Sequence, residues 1–223
     1  MPRAQGEEMK ISTIIFDIDG VLIDSNRIII EAYQKTPEKL GLRIPSDSEI
    51  ISVLGKPLEK IVTILWPNCN RDLLIKEYRK LFLDKNLFLP PVDGAVETVE
   101  KFKKLGFKLG LLSGKIKFFV EKHLREAGFD LNLFDISIPY EATKNHKPHP
   151  EPLLFACKKL NVKPGEVLYV GDSQLDYGCA KNAKTHYVGV LTGSLSEEEL
   201  RKMGVENIIP SVSDLPKFLK VKK

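Results

Sequence analysis

The sequence predicts an α/β protein with a Rossmann-like three-layer core around a central parallel sheet. Short apolar segments rich in β-branched residues alternate along the chain with stretches of helical periodicity. One stretch, behind the first predicted strand, breaks this alternation because it has helical periodicity without a convincing strand. The 223 residues suffice for one large α/β domain or for a core with a smaller companion.

The sequence predicts five strands and a possible short sixth strand. Each is an apolar run bounded by charged or turn-forming residues, as expected for strands buried on both faces. Single predicted helices separate most of them, which favours parallel pairing through crossover connections. The predicted strands are residues 11–16, 107–112, 136–138, 167–170, 186–190 and, most briefly, 207–209.

The helices of the predicted core lie between these strands and follow the period of 3.6 residues. The last residues of the chain are predicted to form a short amphipathic turn with a basic terminus. The predicted core helices are residues 94–105, 117–127, 151–160 and 175–182, with the terminal turn at 214–223.

The stretch that breaks the alternation is predicted to be a helical cap domain at residues 26–89. It would be inserted into a catalytic core formed by residues 9–25 and 90–223, behind a flexible tail at 1–8. The prolines that follow residue 89 stiffen the return linker, which suits a lid that moves as one body. A single domain with a helical insertion is the alternative.

Four helices are expected within this insertion. Ser46 is a plausible N-cap of the second helix, and Pro37 is expected to kink or divide the first. The predicted helices are residues 27–40, 47–54, 58–65 and 71–84.

Composition excludes several classes of protein. No apolar run approaches the roughly 18 residues that span a bilayer, and the first ten residues lack the apolar region of a secretion signal, so we expect a cytoplasmic protein without membrane contact. Cys69, Cys157 and Cys179 fit no metal or disulfide spacing and are expected to be packing thiols. The formal charge of +4 is mild and interspersed, which favours small anionic substrates without implying nucleic acid.

The first candidate site lies where the first strand gives way to a turn. Asp17 and Asp19 are two positions apart, so both can face one pocket while Ile18 packs behind them. Gly20 allows a sharp turn and a close approach of the backbone to a ligand. Two carboxylates at the entrance of one pocket repel each other, so they are tolerated mainly when a divalent cation lies between them. The alternative is an acidic turn after a buried strand.

Two further candidates are a serine and a lysine behind later strands. Ser113 and Gly114 follow the second strand and could bind an anion, although a cap or turn is the simpler interpretation. Lys147 lies in a proline-stiffened loop that could fix a positive charge. It could equally be a surface lysine, and Lys144 is a competing candidate.

The last candidates are a pair of aspartates behind the fourth strand. Asp172 ends a buried strand, and Asp176 follows one helical turn later, so the pair could ligate a metal ion or orient its waters. A capping aspartate with a second acidic residue in the first helical turn is the alternative. All these candidates lie at carboxyl ends of predicted strands, where open α/β sheets bind ligands, so we expect them to form one pocket.

Four sequence segments together resemble the four motifs of the haloacid dehalogenase-like hydrolase superfamily. They are DIDGVLIDS from residue 17, LLSGK from 111, KPHPEP from 147 and GDSQLD from 171, in that order. The helical insertion behind the first segment is similar to the cap of the phosphoglycolate phosphatase-like branch. Gly114 departs from the pattern because asparagine is common at its position, which removes one side-chain donor.

The resemblance implies roles for the carboxylates. Asp17 would attack phosphorus to form an aspartyl phosphate, and Asp19 would protonate the leaving oxygen and then activate water. Mg²⁺ would be held by the side chains of Asp17 and Asp172 and the backbone carbonyl of Asp19, with Asp176 close by.

The resemblance also implies how the phosphoryl oxygens are held. Lys147 and Ser113 would bind them together with backbone N–H groups near Gly114 and Gly20. Lys56, in a turn between cap helices, would contact a substrate carboxylate or second phosphate, or else lie in a solvated turn.

The implied activity is a Mg²⁺-dependent phosphatase that acts on a small phosphorylated metabolite such as phosphoglycolate or a sugar phosphate, as a monomer or homodimer. A phosphomutase of the β-phosphoglucomutase type or a pyrophosphatase would use the same core. A dehalogenase of this fold needs neither Asp19 nor a metal ion, and a phosphonoacetaldehyde hydrolase needs a Schiff-base lysine that Lys56 and Lys60 do not match. A binding module would be expected to have lost at least one core residue.

Overall fold

The computed structural model describes residues 11–84 and 87–221. The tail predicted at residues 1–8 therefore lies outside the described residues. The described chain contains a six-stranded, all-parallel sheet in the order β3-β2-β1-β4-β5-β6. This confirms the predicted fold class, including the short sixth strand. The strands are β1 Thr13–Phe16, β2 Lys108–Leu112, β3 Ile136–Ile138, β4 Val167–Gly171, β5 His186–Val190 and β6 Ile208–Ile209.

The central strand β1 sets the position of the site. Its last residue, Phe16, pairs with Leu111 of β2 on one side and with Val170 of β4 on the other. The carboxyl ends of these three strands therefore meet at one edge of the sheet. Residues that follow each strand are brought together there, although they are far apart in the sequence.

Helices cover both faces of the sheet. The side chains of Ile14 and Phe16 belong to one buried apolar cluster, and that of Ile15 belongs to the other. This alternation along β1 places a core on each face, as in a three-layer protein. The helices that follow residue 94 are α5 Ala95–Lys104, α6 Lys117–Glu126, α7 Glu151–Leu160, α8 Gln174–Ala183, α9 Glu197–Lys202 and α10 Leu215–Phe218.

Helix α9 is absent from the sequence prediction. It has six residues, too few to show a helical period, but Ser196 and Glu199 form a capping box at its start. That local signal could have revealed it. In the described part of the chain, no helix has the length and apolar character needed to cross a membrane.

The helical segment between β1 and α5 has four helices, as predicted, with small differences. They are α1 Asn26–Lys39, α2 Asp47–Ile51, α3 Leu58–Leu65 and α4 Arg71–Phe82. Ser46 caps α2 in a capping box with Glu49, which confirms its predicted role. Helix α2 ends three residues earlier than expected, because the chain turns toward Gly55, whose φ is +82°.

The expectation that Pro37 divides the first helix is wrong. Helix α1 runs without a break to Lys39, and the carbonyl of Pro37 accepts hydrogen bonds from the amides of Leu40 and Leu42. The proline lies in the last turn, where few intrahelical bonds remain to be lost.

Aromatic rings join the helical segment to the sheet-covering helix α6. Phe82, the last residue of α4, lies 5.0 Å from Tyr78 of the same helix, 6.3 Å from Phe119 and 5.9 Å from His123, measured between ring centroids. Phe119 and His123 both belong to α6. The four helices are thus packed against the remainder of the protein through buried rings.

Replacement of Phe82, which is 4% exposed, by alanine should lower the free energy of unfolding by about 3–5 kcal/mol, because the ring leaves a cavity between α4 and α6. Leu83, the next residue, is 49% exposed, and Leu83→Ala should cost less than about 0.5 kcal/mol. Urea denaturation of both variants measures the difference. Equal effects would contradict the packing described for Phe82.

Candidate active site

The turn after β1 is fixed by its own backbone. The amide of Asp17 donates to the carbonyl of Val170 at 2.9 Å, which continues the β1–β4 pairing by one residue. Gly20 has a φ of +72°, and its amide donates to the carbonyl of Ile23 at 2.8 Å. The amide of Gly20 itself is therefore used within the turn. Ile18 is fully buried behind the turn, as predicted.

The predicted site residues converge on one cavity of about 110 Å³. By the same measure a single water molecule needs about 10–15 Å³, so the cavity has room for a small organic molecule. Asp176 is the exception among the predicted residues, since it lies behind the cavity wall. The predicted residues that line the cavity are Asp17, Asp19, Lys56, Ser113, Gly114, Lys147 and Asp172.

Lys147 is the buried cation of the site. Its Nζ lies 2.8 Å from Oδ1 of Asp17 and 2.6 Å from Oδ1 of Asp176, and the residue is 7% exposed. Burial alone would lower the pKa of Lys147, but the two carboxylates outweigh it and raise that pKa. Lys144, the competing candidate, is exposed and does not line the cavity, whereas Lys147 does.

Asp176 lies behind the cavity wall and holds Lys147 in place beside Asp17. Its Oδ1 accepts hydrogen bonds from Lys147 and from the hydroxyl of Tyr169 at 2.6 Å, and its Oδ2 accepts from the amide and hydroxyl of Ser173. A carboxylate has about four acceptor positions, and all four are occupied. Although burial raises the pKa of Asp176, Lys147 and these hydrogen bonds lower it below its usual value. The side chain is thus held to Lys147, with each acceptor position used by a hydrogen bond.

Asp172 differs from Asp176 because it lacks a cationic partner among the described residues. Its recorded hydrogen bond is a long one, 3.3 Å, from the amide of Ser194. Burial, together with the charges of Asp176 and Asp17, raises the pKa of Asp172 well above its usual value. Ser173 caps α8, so the alternative in which Asp172 is the capping residue is wrong.

The carboxylates of Asp17, Asp172 and Asp176 are close enough to surround one cation. One oxygen from each lies within 4.8 Å of the others, and all three residues are buried. Burial raises the pKa of Asp17 to about 7 even though Lys147 acts in the opposite direction. Such crowding of carboxylates fits a divalent cation with oxygen ligands such as Mg²⁺. Of the three, Asp17 and Asp172 have the carboxylates with fewer hydrogen bonds, so they are the better candidates to ligate it.

Asp19 faces the same cavity but lies in a separate ion pair. Its Oδ1 accepts from Nζ of Lys115 at 2.5 Å and from the hydroxyl of Ser25. Burial raises the pKa of Asp19, but Lys115 and the two hydrogen bonds lower it further than burial raises it. Sequence reasoning did not single out Lys115, although its position directly behind Ser113 and Gly114 at a strand end was a usable signal.

Ser113 lies in a turn and does not cap a helix, since α6 begins only at Lys117. Its amide donates to the carbonyl of Ile138 at 3.0 Å, and its Oγ accepts from the amide of Lys115 at 3.1 Å. These bonds fix the hydroxyl at the cavity wall.

Gly114 marks the closest approach of the helical segment to this wall. A Cβ on Gly114 would lie 3.0 Å from the carbonyl oxygen of Gly55. The turn at Gly55 and Lys56 therefore reaches the strand end itself. Lys56 lines the cavity and is partly exposed, and its Nζ donates to the carbonyl of Ser52 at 3.3 Å.

A further part of the wall was not predicted at all. Aromatic side chains from α1, α4 and α6 line the cavity, together with an ion pair in which Arg79 donates to Glu59 at 2.8 Å. These residues come from helices that are distant in the sequence. In the sequence pattern, their rings cannot be distinguished from ordinary core residues. The aromatic lining residues are Tyr33, Tyr78, Phe82, Phe119 and His123.

Comparison with known proteins agrees with this geometry. The family model described as haloacid dehalogenase-like hydrolase matches residues 14–190. Pyrophosphatase PpaX of Bacillus pumilus is 31% identical over 209 residues, which cover 93% of this chain and 96% of the relative. A Bacteroides fragilis protein provisionally named a haloacid dehalogenase-like hydrolase superposes with a TM-score of 0.81 at 30% identity, over 92% of this chain and all of its own. A predicted phosphoglycolate phosphatase from Haemophilus somnus shares the fold, with a TM-score of 0.80 at 21% identity over 94% of this chain and 98% of its own.

Asp172→Asn and Asp176→Asn should change stability in opposite directions in the presence of EDTA. The Asp172→Asn change replaces a buried carboxyl group that lacks a cationic partner by a neutral amide of similar shape and should raise Tm. The Asp176→Asn change leaves Lys147 paired with Asp17 alone and should lower the free energy of unfolding by about 1.5–3 kcal/mol, as expected for loss of a hydrogen bond between charged groups. At a Mg²⁺ concentration 100 times its Kd, the wild-type protein should gain about 2.7 kcal/mol, and Asp172→Asn should gain far less. Thermal unfolding with and without Mg²⁺ measures both effects; equal shifts in the two variants would refute the distinction.

Gly193→Ala should disturb Asp172 without touching Lys147. A Cβ at this position would lie 2.2 Å from Cβ and Oδ2 of Asp172, so the carboxylate has to move. The variant should lose most of the stabilisation that Mg²⁺ gives the wild type. Gly165→Ala is the matched control, because its Cβ would meet no described atom within 4 Å. An unchanged response to Mg²⁺ in Gly193→Ala would contradict the assignment of Asp172.

Proposed function

Because the chain belongs to the haloacid dehalogenase-like hydrolases, we propose that it is a Mg²⁺-dependent phosphatase that hydrolyses small phosphomonoesters through an aspartyl phosphate. The observation that carries the proposal is the division of two carboxylates in one cavity. Asp17 is held by Lys147 beside Asp172, and Asp19 is held apart by Lys115. The first arrangement suits a nucleophile, and the second suits an acid–base group.

Asp17 is the proposed nucleophile. Lys147 holds one of its oxygens, so the carboxylate is restrained in one orientation at the mouth of the cavity. Attack forms a bond from a carboxylate oxygen to phosphorus as the bond to the leaving oxygen breaks. Asp17 and Asp172 would hold Mg²⁺, which would supply positive charge to offset the repulsion between this carboxylate and an anionic phosphate.

Asp19 is the proposed acid–base group. Lys115 and Ser25 fix its carboxylate on the cavity wall, within reach of a leaving oxygen. The ion pair keeps Asp19 ionised before substrate arrives, and an anionic phosphate nearby increases its affinity for a proton. We therefore expect proton uptake on substrate binding, donation to the leaving oxygen, and later removal of a proton from the attacking water.

Lys147 and Ser113 are proposed to bind the transferring phosphoryl oxygens. Lys147 has a third N–H beyond its two carboxylate bonds, and the Ser113 hydroxyl is fixed at the cavity wall. The helical segment would act as a cap domain over residues 26–89, with Lys56 above the site. A small phosphorylated metabolite in the cytoplasm is the proposed substrate.

A pyrophosphatase is the second candidate. The observation that favours it is the 31% identity to pyrophosphatase PpaX over 93% of this chain. Phosphorus–oxygen cleavage in pyrophosphate would use the same nucleophile and the same acid–base group. The two candidates therefore differ in the leaving group alone.

A phosphate-release assay over phosphoglycolate, sugar phosphates and pyrophosphate tests the proposal. Release should require Mg²⁺ and stop with EDTA. Asp17→Asn should lower kcat by roughly 10³-fold or more, and Asp19→Asn by about 10²–10⁴-fold. Asp24→Asn, an exposed aspartate in the same turn, is the matched control and should leave kcat unchanged.

Metal-independent turnover, or full activity of Asp17→Asn, would overturn this mechanism. Release from pyrophosphate but from none of the monoesters would favour the second candidate. Conversion of sugar phosphates without free phosphate would identify a mutase instead of a hydrolase.

A further inference from the structure

The cavity has two chemically different parts. The part at the strand ends contains Asp17, Asp172, Lys147 and Ser113, which the proposed function assigns to the phosphoryl group. The part beneath the helical segment has a continuous aromatic wall. Tyr33 and Tyr78 stack at 4.5 Å between ring centroids, and Tyr78 continues through Phe82 to His123 and Phe119 of α6. The leaving group would have to occupy this second part.

Aliphatic side chains complete the second part of the cavity. Ile29 of α1, Leu58 and Ile61 of α3 and Ile116 before α6 line it together with the rings. Apolar surface of this kind favours an apolar ligand through its removal from water. A ligand that exposed several hydroxyl groups or a second phosphate to this wall would lose more hydrogen bonds to water than the few polar atoms of the rings could replace.

The cavity wall has little unpaired positive charge with which to bind a second anionic group. The carboxylates of Asp17, Asp19, Glu59 and Asp172 are matched by the side chains of Lys56, Arg79, Lys115 and Lys147, four against four. Three of these cations are in ion pairs with a carboxylate, and the fourth, Lys56, donates to the carbonyl of Ser52 at 3.3 Å. A divalent metal ion would add two positive charges, which balance the two negative charges of one phosphoryl group.

The polar groups of the aromatic rings are uncharged, and the Arg79–Glu59 ion pair beside them has no net charge. His123 is 2% exposed, and neither ring nitrogen has a hydrogen-bond partner among the described residues. Burial, followed by the charge of Lys115, lowers the pKa of His123 to about 3, so the ring is neutral. Burial also raises the pKa of Tyr33 and of Tyr78, which keeps both hydroxyls protonated. This wall is therefore suited to a neutral group.

We propose that the substrate is a phosphomonoester of a small, uncharged and largely apolar alcohol, with a planar ring as the best fit, whose organic part lies against the wall formed by Tyr33, Tyr78, Phe82, Phe119 and His123. The inference rests on the proposed function, because it takes the strand-end part of the cavity as the phosphoryl site. If this holds, the chain differs from its pyrophosphatase relatives in the leaving group, which is an apolar alcohol instead of phosphate.

The test uses three probes with the wild-type protein and Mg²⁺. Benzyl phosphate has an apolar ring, glycerol 1-phosphate has a polar alcohol of similar leaving ability, and pyrophosphate has an anionic leaving group. The value of kcat/KM for benzyl phosphate should exceed each of the other two by at least about tenfold, as expected for burial of a ring against apolar surface.

A charge placed in the wall should change this preference. Leu58→Lys puts a cation at a partly exposed position of the cavity wall and should raise kcat/KM for pyrophosphate relative to benzyl phosphate by roughly tenfold. Leu73→Lys is the matched control, since Leu73 is 42% exposed on α4 and does not line the cavity. The control should keep the wild-type preference.

Inhibition of the wild-type protein gives a measurement that does not depend on the folding of a variant. Benzylphosphonate should inhibit at a concentration about tenfold lower than methylenediphosphonate. Preference for glycerol 1-phosphate or pyrophosphate, or stronger inhibition by the diphosphonate, would overturn the inference and leave the phosphatase proposal intact. Failure to hydrolyse any monoester, in a panel that includes phosphoglycolate and sugar phosphates, would overturn the proposed function itself.

Discussion

The ammonium group of Lys147 lies between two carboxylates, and the arrangement of the site depends on it. One carboxylate, that of Asp17, follows β1, and the other, that of Asp176, lies in the first turn of α8. Removing Lys147 would leave two buried carboxylates without a cation, which is the costly way to break such a cluster. The cluster therefore ties together the loop after β3, the central strand and the helix behind β4. It also holds Asp17 in one orientation, which is what a nucleophile on a crowded, anionic site requires.

The second constraint is the asymmetry between Asp172 and Asp176. Both are buried aspartates of the same short segment, yet Asp176 has its acceptor positions filled by Lys147, Tyr169 and Ser173, whereas Asp172 has one long hydrogen bond. A metal ion would meet an uncompensated carboxylate at Asp172 and a satisfied one at Asp176. The difference in hydrogen bonding thus separates a candidate ligand from a supporting residue, although the sequence presents them as a pair.

The helical segment contributes to the same cavity in a different way. Its turn at Gly55 and Lys56 approaches Gly114 at the strand end, and the last ring of α4, that of Phe82, packs on α6. The strand ends supply charge and hydrogen bonds, and the helices supply aromatic and aliphatic surface. Under the proposed function, the strand ends would carry the chemistry, and the helical segment together with α6 would select the substrate.

The sequence by itself determined the parallel sheet, the helical insertion and the convergence of Asp17, Asp19, Ser113, Lys147 and Asp172. These features depend on local patterns: apolar runs that end in polar residues predict strand ends, and parallel strand ends meet at one edge. It did not reveal the ion pair of Lys115 with Asp19, the satisfied state of Asp176, the use of the Gly20 amide within its own turn, or the aromatic wall. Those depend on distances between residues far apart in the chain, and only tertiary packing decides which partner a buried charge, amide or ring will meet.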